Sequence, residues 1–270
     1  MPEAMSLHVI QALVLRHLFL YARNPIRLVE LLFWPVMELL VWGNLAMWLE
    51  SSKGGPAVPV FIPSLIGGVL LWDVVFRAQQ GVAISFLEDV WTRNLLNIFA
   101  APVRPIEYIL SGFVVGALRI AITVTALALL SGIAYHFNVF LFSWHLLPFF
   151  ALLMMFGWSL GMISSALILR WGQAAESLAW AVPFLIQPLA AVYYPLSVLP
   201  PWAQNLGLCL PCAPVFEGMR AIVRGQPVNW SLLGLALVTN LVWMAIASGI
   251  YLWVLRTGRQ RGTLTRVTAH

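Results

Sequence analysis

The sequence predicts an all-α integral membrane protein with six transmembrane helices. Hydrophobic residues make up 61% of its 270 residues and charged residues only 9%, whereas about a quarter of the residues in soluble domains are charged. Such a chain has too few polar side chains to cover a water-facing surface, so the bilayer has to cover it. Its apolar stretches are continuous rather than alternating, which is typical of membrane helices.

Six stretches reach the length of about 20 apolar residues that a helix needs to cross the hydrocarbon core. We see no pattern of a cleaved signal peptide, so we expect the first span to direct insertion. The six predicted spans are residues 26–49, 58–76, 106–135, 145–169, 174–194 and 229–255.

The basic residues predict the orientation of the spans. With the N-terminus in the cytoplasm, eleven of them lie inside and three outside, and six spans then place both termini inside. We therefore attribute the pI of about 9.7 to topology and expect no nucleic-acid partner. The inside set is Arg16, Arg23, Arg27, Arg77, Arg93, Arg104, Arg170, Arg256, Arg259, Arg261 and Arg266, and the outside set is Lys53, Arg220 and Arg224.

Residues 1–25 are predicted to form a helix that lies in the cytoplasmic interface of the membrane. Asn24 and Pro25 should end this helix before the chain turns into the bilayer. The alternative is an N-terminal extension of the first span. The prediction depends on apolar residues at helical spacing, namely Leu7, Ile10, Leu13, Val14, Leu18 and Tyr21.

Two polar interruptions divide the single six-helix domain, residues 26–270, which ends in a cytoplasmic tail at 256–270. Residues 77–105 are predicted to be a cytoplasmic loop that carries a short surface helix from Glu88 to Phe99. Residues 195–228 are predicted to be an external re-entrant segment before the last span. Its prolines, which break helices, are Pro200, Pro201, Pro211 and Pro214.

At these two interruptions the sequence resembles the ABC-2 type permeases, the membrane-spanning subunits of bacterial ABC exporters. The matching segments are residues 95–109 (LLNIFAAPVRPIEYI) and 194–205 (YPLSVLPPWAQN), the second followed by Pro211, Pro214, Glu217 and Arg220. The resemblance implies a bacterial inner membrane location and a dimer of permeases. In the family this dimer is a homodimer at least as often as a pair of related chains. It also implies outward transport of an amphipathic, lipid-linked or polysaccharide substrate, although no residue selects among these classes.

The resemblance further implies a cytoplasmic ATP-binding subunit as partner. The chain has no G-x-x-x-x-G-K-[ST] loop, so we expect that partner to bind ATP and Mg and this chain to have no cofactor and no catalytic residues of its own. The surface helix is then interpreted as a coupling helix, unless it only lies on the lipid headgroups. Apolar contacts to the ATPase are assigned to Leu87, Trp91, Leu95 and Leu96, and polar contacts to Glu88, Asp89 and Arg93.

Five ionisable residues fall at membrane depth, where charges are costly and usually face protein or water. They are Glu30, Glu38, Asp73, Arg119 and Glu176. Arg119 is the one cation well inside a predicted span, so we expect it to pair with Glu38, Glu30 or Asp73. The alternative is that it attracts an anionic group of the substrate. Proton coupling is disfavoured, since no chain of ionisable residues links the two sides.

The remaining motifs are weak. Cys209 and Cys212 form a C-x-x-C pattern that predicts either an external disulfide or two small apolar fillers, because no thioredoxin-like setting surrounds it. The five histidines lack ligand-like spacing, so no metal site is expected. Gly112-x-x-x-Gly116 and Gly157-x-x-x-Gly161 predict close helix contacts.

Two other functions compete with the exporter. A stand-alone secondary transporter would show internal repeats and broken helices, and only the segment 183–188 suggests such a break. A membrane-embedded lipid-modifying enzyme would need His, Asp or Glu residues that converge at one interface, whereas here the acidic residues are dispersed.

Overall fold

The computed structural model describes residues 6–52, 61–92 and 94–260, and every regular element in these ranges is helical. The α-helices are α1 (Leu7–Ala22), α2 (Pro25–Ser52), α3 (Phe61–Trp91), α4 (Leu95–Ala100), α5 (Pro105–Tyr135), α6 (Leu146–Trp171), α7 (Glu176–Ile186), α8 (Pro201–Leu208), α9 (Cys212–Val223) and α10 (Trp230–Gln260). Short 3-10 helices occupy Val139–His145, Gly172–Ala175 and Leu196–Val198.

Five helical segments in the described ranges are long and apolar enough to cross a membrane. A sixth crossing is possible at α8 and α9, which are bent by 99° and form either one broken span or a re-entrant loop. The prediction of an all-helical, multi-pass membrane fold is thereby confirmed. The five segments are Pro25–Leu49, Phe61–Trp91, Pro105–Tyr135, Val139–Trp171 and Trp230–Gly258.

Helix α3 is the centre of the bundle. From residue 65 to residue 90 all its side chains are buried except those of Phe76 and Ile84. Its first half joins an apolar core that includes Trp72 and Phe156. Its second half joins a smaller core with Tyr108 of α5.

Glycines allow two neighbouring helices to approach α3 at backbone distance. A Cβ atom at Gly81 would lie 2.3 Å from the Gly116 Cα atom of α5, and one at Gly157 of α6 would lie 2.5 Å from the Ala78 Cβ atom. A Cβ atom at Gly161 would lie 2.7 Å from the Val82 Cβ atom. The close contacts predicted from the two glycine pairs are therefore confirmed.

The second span is longer than the sequence predicts. Residues 77–91 continue α3 instead of opening the predicted loop at 77–105, and α4 occupies residues 95–100 of that range. The prediction of a separate helix that begins at Glu88 is wrong, because Glu88 belongs to α3. The helix continues because its polar side chains find partners inside the chain.

The fifth predicted span, residues 174–194, is not one continuous helix. Its α-helical part, α7, ends at Ile186 after the internal Pro183. Tight turns follow, in which Ala191 adopts a left-handed conformation with φ 55°. Prolines on both sides of the helix end, Pro183 and Pro188, explain why the apolar stretch does not continue as a helix.

The other predicted boundaries agree better with the structure. Helix α1 is separate from α2, and the break lies at Arg23 and Asn24, as the proline after it predicts. Its buried residues are Ile10, Leu13 and His17, and it packs on α5. That α1 lies in a membrane interface stays a prediction, as does the orientation of the spans. Lys53, Arg93, Arg261 and Arg266, and the tail beyond residue 260, lie outside the described residues.

Candidate functional site

One end of α3 carries two buried acidic residues that hold other helices. Asp89 is fully buried and accepts hydrogen bonds from the Arg16 guanidinium of α1 and, at 2.6 Å, from the Tyr108 hydroxyl of α5. Both donors therefore satisfy a carboxylate that would be costly to bury alone. Asp89 ties α1 and α5 to the end of α3.

The neighbouring Glu88 holds two other groups. It accepts a hydrogen bond of 2.8 Å from Arg27 Nη1 of α2, and its second oxygen lies 3.7 Å from His17 Nδ1 of α1. Glu88 is itself buried, whereas the Arg27 side chain is about 30% exposed. We call the six residues of these two groups, Arg16, His17, Arg27, Glu88, Asp89 and Tyr108, the α1 latch.

Arg16, the cation that α1 contributes to the latch, keeps its positive charge. Burial lowers the pKa of the Arg16 guanidinium, but the hydrogen bond to Asp89 and the charge of that carboxylate raise it above the ordinary value. Arg16 therefore stays protonated. A third acidic residue, Glu107, accepts backbone hydrogen bonds from Ser6 at 2.8 Å and from Arg104 at 2.9 Å, and so joins the starts of α1 and α5.

The structure places the predicted coupling residues in two different environments. Leu87, Glu88 and Asp89 are buried within the chain, so the prediction that they stand on an exposed surface helix is wrong. Trp91 is 42% exposed, as a contact residue should be. Arg93 and the side chains of Leu95 and Leu96 lie outside the described residues, and the coupling role itself stays a prediction.

Arg119 of α5 does not form the ion pair that the sequence suggests. Its Nη1 atom donates to the Gln80 carbonyl at 3.2 Å, and its guanidinium lies 5.0 Å from the centre of the Tyr21 ring. Its Nε and Nη2 atoms are buried without a hydrogen-bond partner among the described residues. A cation held by a carbonyl and an aromatic face is desolvated but not neutralised.

The acidic residues that were expected to pair with Arg119 have other environments. Asp73 binds Arg77 at 3.0 Å, one turn further along the same helix, and accepts a 2.6 Å hydrogen bond from Thr123. Glu30 is exposed, and Glu38 binds a tyrosine. The hypothesis of an Arg119 ion pair with these residues is wrong, because α3 supplies its own cation to Asp73.

Glu38 belongs to a half-buried polar site between α2 and the turn after α7. Its Oε1 atom accepts the hydroxyl of Tyr193, and that hydroxyl accepts a 2.8 Å hydrogen bond from Gln187 Nε2. Trp42, one helical turn after Glu38, stacks on Tyr193 with ring centres 4.4 Å apart and planes 23° apart. We call these four residues the Glu38 patch.

Aromatic side chains extend from this patch along α7. Phe76, one of the two partly accessible residues in the middle of α3, contacts Phe184 and Trp180 with ring centres 5.5 and 6.5 Å apart. Trp180, Phe184 and Gln187 are spaced by four and three residues, so they share one face of α7. Phe76, Trp180 and Phe184 are called the aromatic wall below.

The buried polar residues of α3 form a row. Asp73, Arg77, Gln80 and Glu88 lie on one face of the helix, and the half-buried Ile84 separates Gln80 from Glu88 on that face. Arg77 bridges Asp73 and Gln80 with hydrogen bonds of 3.0 and 2.7 Å. Asp73 also accepts a hydrogen bond from Thr123 of α5, and Glu88 binds Arg27 of α2, so the two ends of this face contact different helices. Asp73, Arg77 and Glu88 are therefore aligned on α3, whereas Glu30 and Glu176 lie on other helices.

Several residues of these groups were missed in the sequence. Periodicity could have indicated the row on α3, because its polar residues follow a helical spacing. No local signal indicates the partners from other helices, since they lie up to 155 residues away in the chain. The missed partners are His17, Tyr21, Gln80, Tyr108, Thr123, Gln187 and Tyr193.

A second set of contacts holds the segment after α7 against α9. Glu217 accepts the backbone N–H of Leu196 at 2.7 Å and binds Arg220 at 3.0 Å. Arg220 is buried and also donates to the Val192 carbonyl at 3.5 Å. These contacts give Glu217 and Arg220 a structural role in shaping the turn that presents Tyr193.

The cysteines are free thiols in this structure, with Cys209 exposed and Cys212 buried, so the disulfide hypothesis is not supported. Glu176, the last of the predicted membrane-depth charges, is half-buried at the start of α7. In the described part of the chain, no group of three or more His, Cys, Asp or Glu side chains is placed to hold a metal ion.

The chain is similar to a curated membrane transport protein. It is 26% identical to the inner membrane transport permease YadH of Escherichia coli strain K12 over 203 residues. This match covers 71% of this chain and 75% of that protein. Proteins of the same name from Escherichia coli O157:H7 and Shigella flexneri match equally well. No protein-family profile matches the chain. Together with the long apolar helices, the similarity supports a multi-pass inner membrane protein with a transport role.

Proposed function

We propose that this chain is the transmembrane subunit of an ATP-driven exporter of the ABC-2 type, in which a separate cytoplasmic subunit binds ATP and Mg. The observation that carries the proposal is the 203-residue similarity to an inner membrane transport permease, and the five long apolar helices fit it. A second copy of this chain completes the membrane part. The substrate is an amphipathic, lipid-linked or polysaccharide molecule that leaves the cytoplasm.

The surface proposed to meet the ATPase is the connection between α3 and α5. Trp91, Thr92, Asn97 and Ala100 are exposed there, whereas Ile98 of α4 is buried in the apolar core around Tyr108. A force on the exposed side of α4 therefore acts on the core through Ile98. Packed cores transmit such displacements as rigid bodies.

The α1 latch is the proposed second stage of this transmission. Its acidic residues lie in the last turn of α3, next to the contact surface, and hold α1 and α2 through Arg16 and Arg27. A movement of the end of α3 therefore carries both helices with it. In this proposal Glu88 and Asp89 act between helices of this chain and not on the ATPase.

Replacing Trp91 by alanine is expected to weaken the contact with the ATPase without unfolding the chain, because its side chain is 42% exposed. An aromatic residue at the centre of an interface contributes about 2 kcal/mol or more, so recovery of the ATPase with the tagged chain should fall about tenfold or more. The measurement is co-purification in mild detergent with the products of neighbouring genes, followed by an ATPase assay.

The matched control is Trp202→Ala, which removes another exposed tryptophan, at the start of α8 and outside the connection between α3 and α5. It should leave ATPase recovery unchanged. Equal recovery of the ATPase with the unchanged chain, Trp91→Ala and Trp202→Ala would mean that Trp91 is not part of the contact. A chain that purifies without any P-loop ATPase would contradict the exporter.

The row of ionisable residues on α3 favours a second candidate, a stand-alone secondary transporter. Buried charged residues on one face of a spanning helix, here Asp73, Arg77 and Glu88, are a feature that ion-coupled transporters use. The two functions differ in their energy source. Transport in vesicles that contain this chain alone, abolished by a protonophore and indifferent to ATP, would support the second candidate.

A further inference from the structure

Glu38 is a carboxylate at membrane depth that forms no ion pair with the described residues. It lies in the middle of the α2 segment Pro25–Leu49, which is long and apolar enough to span a membrane. Arg77, a basic residue of the neighbouring helix α3, is bound to Asp73 at 3.0 Å. A carboxyl group at this depth is costly unless it is protonated or meets a positive partner, and a cationic ligand would supply that partner.

The structure holds this carboxylate in one orientation. Tyr193 and Gln187 form a chain of two hydrogen bonds that ends on Glu38 Oε1. The Oε2 atom has no hydrogen-bond partner among the described residues, and it is not sealed in the core, because Glu38 is only half-buried. One oxygen is therefore used for positioning, and the other remains for a ligand.

A stacked aromatic pair lies beside the Glu38 side chain, because Tyr193 binds its other oxygen. Trp42 follows Glu38 by one turn of α2, on the same side of the helix, and stacks on Tyr193 at 4.4 Å. A carboxylate beside stacked aromatic rings is a favourable environment for an alkylammonium or similar cation, which is attracted both by the charge and by the ring faces. A purely hydroxylated ligand would leave the negative charge uncompensated.

The aromatic wall supplies a place for the apolar part of such a ligand. Trp180 and Phe184 are 38% and 56% exposed, and they extend from Gln187 along one face of α7. Arg119 is no competing anion site on this surface, because it is only 4% exposed and its Nη1 atom donates to the Gln80 carbonyl of α3. The accessible surface therefore combines one negative charge with an extended aromatic area.

We infer that the Glu38 patch binds the cationic headgroup of a lipophilic cation, whose apolar part lies on the aromatic wall. As a substrate subsite this inference rests on the proposed function, but the binding itself does not require the ATPase. It narrows the proposed substrate to a cationic amphiphile.

The test is equilibrium binding of radiolabelled tetraphenylphosphonium to the full chain in phosphatidylcholine nanodiscs, with empty nanodiscs subtracted. Glu38→Gln keeps the size of the side chain and an acceptor for Tyr193 but removes the charge. Because the variant loses the attraction between two opposite charges at a partly buried site, the affinity should fall at least about tenfold.

Glu30→Gln is the matched control, because Glu30 is an exposed carboxylate two turns earlier on α2. Its affinity should stay within about twofold of the unchanged chain. Equal losses for the two variants would assign the effect to surface charge and overturn the inference. Unchanged affinity for tetraphenylphosphonium in Glu38→Gln would also overturn it. So would an affinity for octyl glucoside, measured by competition, that Glu38→Gln lowers as much as it lowers the affinity for the cation.

A second variant keeps the inference testable if Glu38→Gln fails to fold. Trp42→Leu removes the aromatic face and leaves the carboxylate, and we expect a loss of about threefold to tenfold in affinity for the cation. A folded Trp42→Leu chain with full affinity would contradict the site. Co-purification with an ATPase and no cation binding would support the exporter and contradict this substrate. Cation binding without any ATPase would support the binding site and contradict the exporter.

Discussion

Replacing Gly81 by alanine is expected to force α3 away from α5 and to lower the stability of the chain. The added Cβ atom would lie 2.3 Å from the Gly116 Cα atom and 2.5 Å from the Gly116 backbone nitrogen. Neither atom is the movable end of a side chain, so the helices themselves must separate. Overpacking costs about 1 to 3 kcal/mol where side chains can adjust, and a contact with backbone should reach the upper end.

The measurement is the midpoint of thermal unfolding in detergent, followed by size-exclusion chromatography with tryptophan fluorescence. For a chain of this size the midpoint of Gly81→Ala should fall by about 5 to 10 °C. The control is Gly249→Ala in α10, where a Cβ atom meets nothing within 4 Å. It should be neutral or slightly stabilising, because alanine favours helix by about 1 kcal/mol over glycine. Equal midpoints for the two variants would show that α3 and α5 are not in backbone contact.

Removing the carboxylate of Asp89 is expected to be the most damaging change in the α1 latch. Asp89→Ala leaves the Tyr108 hydroxyl without its acceptor and deprives Arg16 of its counter-charge. Breaking a buried ion pair by removing one partner costs about 3 to 5 kcal/mol. The free energy of unfolding, measured by titration with dodecyl sulfate in mixed micelles, should fall by this amount, and α1 should become sensitive to protease.

A double-mutant cycle separates this effect from a general loss of stability. Arg16→Ala in the Asp89→Ala background should cost less than in the unchanged chain, with a coupling energy of about 1 to 3 kcal/mol. Glu30→Ala serves as the control for the loss of an exposed carboxylate and should change the free energy of unfolding by less than about 0.5 kcal/mol. Strict additivity of the Arg16 and Asp89 changes would argue against the latch.

The polar end of α3 shows where the sequence misleads. Residues 77–90 contain charged and amide side chains, and a polar stretch after 20 apolar residues normally marks the end of a span. Here Asp89 meets Arg16 from 73 residues earlier and Glu88 meets Arg27 from 61 residues earlier. The stretch is therefore buried as helix, although its composition predicts a loop.

Arg119 also shows that the sequence does not identify the partners of a buried polar residue. The sequence supports the general rule that a charge at this depth faces protein, and the arginine is indeed buried. Its partners are a carbonyl and a tyrosine ring. The acidic residues in the predicted spans had instead suggested an ion pair. Composition indicates that partners are needed, but it does not identify them.

The sequence by itself determined the fold class, most of the span positions, the break between α1 and α2 and the bend near α8 and α9, because these depend on local apolar length and on proline. Only the tertiary structure decided that α3 runs to Trp91, that α7 stops at Ile186, and that Glu38 meets Tyr193. These features depend on which side chains meet across the bundle, and the hydrogen bonds and ion pairs that form there decide whether a polar residue is buried or exposed.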